Sequence, residues 1–190
     1  MWADERDEVE DCLFEEARDH RDELDFFMGK SLGPEIHWFF HQGVVALRQH
    51  LYLPACTTLL NGIESSLRVT QARLDFAGAG DLELGTTLCN RLLRDLRARG
   101  VPVNLLAFSD ETDFDDRLRQ NKPHVRIVQV RHDLCHGNVA KYVNYDLGPH
   151  QGFFTPECLR DLAEELRALS RKWVTGLASF RENHPAPGSR

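Results

Sequence analysis

Apolar residues recur at intervals of three and four along most of this 190-residue chain, the period of helices laid against a core. Val9, Leu13, Ala17, Leu24 and Phe27 stand among acids and predict an amphipathic helix over residues 3–29, ending near Gly29. Ile36, Phe40, Val44, Leu47 and Leu51 form a second stripe. Pro54 marks a new start, because proline fits the first turn of a helix. Cys56, Leu59, Leu60, Ile63, Leu67 and Leu74 carry a long third helix to about Phe76.

The glycines of "AGAGDLELG" then predict a loop. Thr87 is placed to cap a fourth helix with Leu88, Leu92, Leu93 and Leu96 inward, stopped by Gly100 and Pro102. Residues 101–121 read as irregular, with one short helix around Phe114 to Leu118. "VRIVQV" alternates like a strand but has no partner strand in the chain. Pro123 as a start and Gly137 as a left-handed stop favour a helix there. After Thr155-Pro156 the final helix runs to about Glu182 on Leu159, Leu162, Leu166, Leu169, Trp173, Leu177 and Phe180. The expectation is one all-α domain: an up-and-down bundle of five or six helices with its core over 36–182 and a loose tail over 183–190.

Composition refines this picture. Hydrophobic residues make up 42% and charged residues 28%, as in globular rather than disordered chains. No apolar run approaches the ~18–20 residues that span a bilayer, and "MWADERDEVEDC" is acidic where a signal peptide is basic. A cytoplasmic protein with no membrane partner is expected. The five cysteines include no CxxC pair and are expected to be reduced and mostly buried.

The net charge of −7 conceals an uneven distribution. Residues 1–29 hold twelve acids against three arginines, so the remaining chain has a slight basic excess. Nineteen of the 23 basic residues are arginine, the better bidentate ligand for phosphate. A nucleic-acid partner is therefore permitted. The acidic helix reads as a solvated, solubilising element. The competing account places it over a basic cleft as an RNA mimic.

The candidate chemistry lies in "VRHDLCHGN", residues 130–138. Arginine followed by histidine after four to six residues occurs four times in the chain, against about three expected by chance. The spacing alone thus selects nothing. Only Arg131 and His136 also have a polar residue directly after the arginine and glycine directly after the histidine. An ideal helix turns Arg131 and His136 about 140° apart, whereas His132 and His136 share a face.

With that context the stretch resembles the HEPN superfamily, marked by an "R-polar-x-x-x-H" segment in a four- or five-helix bundle. "YLPACTTLLNGIESSLR", with Glu64 among apolar residues, resembles the helix that often precedes the motif. The resemblance implies a metal-independent endoribonuclease, dimeric with both motifs at the two-fold axis, which needs no cofactor. It also implies a setting in phage defence, stress response or a toxin–antitoxin system, with an antitoxin or regulator as a further partner. In it Arg131 and His136 are the catalytic pair and His132 supports them. Glu64 is either a second support, through Arg131, or an ordinary core-edge acid. One branch of the family carries tyrosine two residues after the motif histidine. Here that position is Asn138, read as a further supporting residue, and the nearest tyrosines are Tyr142 and Tyr145, so regulation through such a tyrosine is not expected.

Other readings stay open. The motif also reads as a polar helix end facing the dipole, and the resemblance extends to non-catalytic modules that bind nucleotides or proteins. A metal set from His132, Cys135 and His136, or from His37 and His41, lacks the two local pairs of a structural zinc site. No metal is expected. Cys135 reads as a small core residue.

Overall fold

The computed structural model describes residues 2–30, 32–75 and 87–184, with side chains from residue 14 onward except 16, 34 and 35. The chain is all-α. Among the described residues seven α-helices run α1 Trp2–Met28, α2 Pro34–Arg48, α3 Tyr52–Asp75, α4 Asn90–Ala98, α5 Phe114–Arg119, α6 Arg126–Cys135 and α7 Arg160–Asn183. The one β-type pairing among the described residues is an isolated antiparallel bridge between Asn144 and Phe153.

α3 is the central element, flanked by α2, α4, α6 and α7. Its apolar stripe buries Cys56, Leu59, Leu60, Ile63 and Leu67 against the fully buried Ile36 and Phe40 of α2 and Trp173 of α7. Two glycines permit the close α2–α3 approach. A Cβ on Gly43 would lie 2.8 Å from the Leu59 side chain, and one on Gly62 would lie 3.0 Å from the Phe40 ring. Trp173 Nε1 donates to Ser66 Oγ at 2.8 Å, so the largest core side chain leaves no polar atom stranded. α1 is anchored at its C-terminal end by Phe27, which is fully buried and stacks on Phe40 at 5.1 Å.

Several expectations need correction. Thr87 does not cap α4. Cys89, in an extended conformation, holds the N-cap, and its sulfur accepts from Leu92 N at 3.5 Å. Pro123 does not open α6, which starts three residues later, because the segment before it is tied elsewhere. Asn90 donates to the carbonyls of Arg117 and Gln120 and accepts from Val125 N. Pro156 opens a 3-10 turn, Pro156–Leu159, and α7 follows it.

Leu51 and Leu74 are exposed because each falls at or beyond a helix end, and Ala17 faces solvent on α1. Of the four described cysteines only Cys56 is buried. Cys135 is exposed, on the face of α6 that turns from the core. The 77–85 loop, Phe76, the side chains of Val9, Leu13 and Cys12, and tail residues 185–190 lie outside the described residues. Among the described residues no helix is long and apolar enough to cross a membrane.

Candidate functional site

α6 is helical because Ile127, Val128, Val130 and Leu134 make one buried stripe at helical spacing, and the β-branched residues pack without a strand partner. Its first turn is held from outside the helix. Arg126 N donates to Glu111 Oε1 at 2.6 Å, filling the role of an N-cap. The Arg126 guanidinium lies 4.2 Å from the Phe108 ring centre and 3.4 Å from Glu165 of α7. Asn90, buried, ties the 117–125 segment to α4 and so fixes where α6 begins.

At the other end α6 closes in a Schellman arrangement. Gly137 has φ +70, its N–H points to Leu134 O, and Asn138 N donates to Asp133 O at 2.8 Å. Asp133 is fully buried. Its carboxylate accepts from Gln129 Nε2 at 2.9 Å and Asn138 Nδ2 at 3.0 Å, and it pairs with the Lys141 ammonium. Burial alone would raise this carboxyl, but Lys141, Gln129 and Asn138 together hold it below its ordinary value. Asn138 thus locks the chain leaving the motif through both its backbone and its side chain.

Arg131 projects from α6 onto α3. Its Nε donates to Glu64 Oε2 at 2.8 Å and its Nη2 to Oε1 at 3.4 Å. The Glu64 side chain is only 8% exposed, and that of Arg131 is 21% exposed. The carboxylate therefore grips one edge of the guanidinium. The Nη1 edge has no partner among the described residues.

His136 is the C-cap of α6 and is exposed. Its ring centre lies 4.5 Å from that of His132, also exposed, so the two imidazoles form a surface pair. The i,i+4 sharing of a face is realised. Arg131 turns instead toward α3, as the five-residue step implies.

His124 adds a third imidazole beside His132. Its pKa lies below the ordinary value, first through burial and then through the charges of Lys122 and His132. Its Nδ1 is buried with no hydrogen-bond partner among the described residues. Behind α6 a cavity of about 330 Å³ is lined by Arg126, Lys141, Tyr142 and Glu165 among others. Burial, then the neighbouring Asp133 and Cys56, push the Tyr142 phenol up to about 12, so it stays protonated near neutrality.

Asp133, Lys141, His124 and Asn90 escape a reading of the sequence. Asp133 lies inside the quoted stretch, but nothing in its spacing marks it as buried, and Lys141 and Asn90 act through contacts set by tertiary structure. Among the described residues no group of three or more His, Cys, Asp or Glu is arranged to hold a metal ion. His41 instead sets its ring edge-on to Trp38 at 5.3 Å.

No family model, curated protein or solved structure matches this chain.

Proposed function

We propose that the protein is a HEPN-like, metal-independent endoribonuclease that uses Arg131 and His136, assembled as a homodimer with the two motifs meeting at the two-fold axis. The observation that carries this reading is the buried Glu64 fork. It holds the Arg131 guanidinium in place and leaves its Nη1 edge available, on a helix that also presents the exposed His132–His136 pair.

The chemistry follows from those groups. His136 accepts the proton of an RNA 2′-hydroxyl, whose oxygen attacks the adjacent phosphorus. The 2′-oxygen–phosphorus bond forms and the bond to the 5′-oxygen breaks. A proton returned by an imidazolium leaves a 5′-hydroxyl and a 2′,3′-cyclic phosphate. Negative charge builds on the phosphorane oxygens, and the fixed guanidinium stabilises it without reorganising. His132 contacts phosphate beside His136, and Asp133 with Asn138 keeps the helix end that carries them rigid. A role in defence, stress response or toxin–antitoxin pairing belongs to the same reading.

A second reading is a non-catalytic HEPN-like module that binds nucleotide or protein. What favours it is that, within one chain, Arg131 turns to Glu64 while His136 turns to His132. Substrate chemistry separates the two. The nuclease is expected to cut an RNA strand and spare the same strand carrying 2′-methoxy groups. Loss of neither strand, or equal loss of both, overturns the reading.

A further inference from the structure

A groove of about 790 Å³ lies away from the motif, between α1, α2 and α7. One wall is acidic: α1 contributes Asp19, Asp22 and Glu23. The other is mainly basic, with Arg48 from the end of α2 and Arg160, Arg167 and Arg171 from α7; Glu164 also lines it and pairs with Arg167 Nε at 3.0 Å, and Arg160 pairs with Glu157 at 2.6 Å. The α7 arginines follow one another along the helix as a stripe about 16 Å long.

Glu23 joins the walls. Its side chain is only 13% exposed, both its oxygens accept from Arg167 Nη1 at 3.1 and 3.2 Å, and Arg171 Nη1 lies 3.7 Å away. The Arg171 guanidinium also covers the Phe26 ring at 4.0 Å. Two guanidiniums converging on one carboxylate is an arrangement that the oxygens of a phosphate reproduce.

Among the described residues Arg48 makes no hydrogen bond or ion pair. His20 registers it: its pKa is lowered, by burial first and then by Arg48.

We propose that the arginine wall of α2 and α7 binds the phosphate backbone of single-stranded RNA, and that the acid face of α1 occupies this surface in the free protein. The choice of RNA as the polyanion rests on the ribonuclease reading. Phe27 stays anchored in the core, so RNA displaces only the part of α1 that precedes it.

The test uses the full chain and a labelled 2′-methoxy uridine 20-mer, which cannot be cut, so binding is read apart from Arg131 and His136. Asp19→Asn/Asp22→Asn/Glu23→Gln is expected to bind at least tenfold more tightly than wild type in fluorescence anisotropy. Adding Arg48→Ser and Arg171→Ser is expected to erase that gain. It should also reduce the slope of log affinity against log salt by about 1.4, at about 0.7 per phosphate contact on a single strand. Should the triple variant unfold, Asp19→Asn/Asp22→Asn, which leaves the Glu23 pairs intact, is expected to give a smaller gain in the same direction.

Equal affinity of wild type and the acid variants overturns the proposal. So does a gain that survives loss of Arg48 and Arg171, or an equal gain for polyglutamate. RNA binding of the expected pattern by a protein that cuts no RNA upholds the groove and rejects the nuclease.

Discussion

Arg131 on α6 and Glu64 on α3, 67 positions apart in sequence, meet with Nε–Oε2 at 2.8 Å where Glu64 is almost wholly buried. This pair fixes the orientation of the motif helix against the central helix. It also gives the candidate site a cation held from one side by a buried carboxylate.

Removing Glu64 leaves Arg131 beside an empty, water-poor position, and removing Arg131 leaves a buried carboxylate unpaired. Glu64→Ala is expected to cost about 3 kcal/mol, toward the lower end for a broken buried pair because Arg131 is partly exposed. The double variant Glu64→Leu/Arg131→Met is expected to be less destabilised than the sum of the two single changes. Urea unfolding of the singles and the double gives the coupling. Additive losses would show that the pair has no energetic role.

Asp133 sets the acid limit of the motif. Its folded pKa is below its ordinary value of 3.8, so its contribution is fully present above that value and is lost as pH falls through the lower folded value. Wild type is expected to lose stability below about pH 4 more steeply than Asp133→Asn, which starts less stable at pH 7. Urea midpoints from pH 7 to pH 3 measure both, and parallel curves would contradict the assignment.

His20 and His124 act at higher pH. Both have pKa values below the ordinary 6.5, so the folded state favours their neutral forms. Their contribution is complete above about pH 6.5 and declines as the pH falls below it. His124→Gln is expected to flatten the decline between pH 6.5 and pH 5, read from thermal midpoints across that range. An unchanged slope would remove His124 from the account.

Asn90 reaches the site only through backbone. Asn90→Ala removes a donor shared by the carbonyls of Arg117, Gln120 and Pro123 and the acceptor of the buried Val125 N–H, and is expected to cost about 1–3 kcal/mol. Because that segment feeds α6, hydrogen exchange should speed up over 117–128 before it does over α3. Uniform acceleration across both would show that Asn90 merely supports global stability.

The helices were legible where one face had to be buried. The stripe from Leu159 to Phe180 and the α4 leucines lie in the core, as their spacing implies. Legibility failed at helix ends, where a single tertiary bond outweighs local signals: Cys89 in place of Thr87, and Glu111 with Asn90 in place of Pro123. Leu51, Leu74 and Cys135 show the same limit, since hydrophobic type does not reveal where a helix stops or which side is outermost. Within the candidate site, Arg131, His132 and His136 stand out through their arrangement, and Glu64 through its apolar neighbours. Asp133 and Lys141 do not, because their role depends on burial and on a turn that brings them together.

The nuclease reading meets its most direct test in one reaction. Wild type, His136→Ala and Arg131→Lys are incubated with a mixed-sequence RNA in EDTA, and the 3′ ends of the fragments are identified. The account predicts fragments ending in 2′,3′-cyclic phosphate from wild type. It predicts a loss of at least about 100-fold in both variants, since lysine keeps the charge of Arg131 but cannot use the Glu64 fork. Absence of cutting by wild type, 3′-hydroxyl ends, or equal cutting by all three proteins would contradict it.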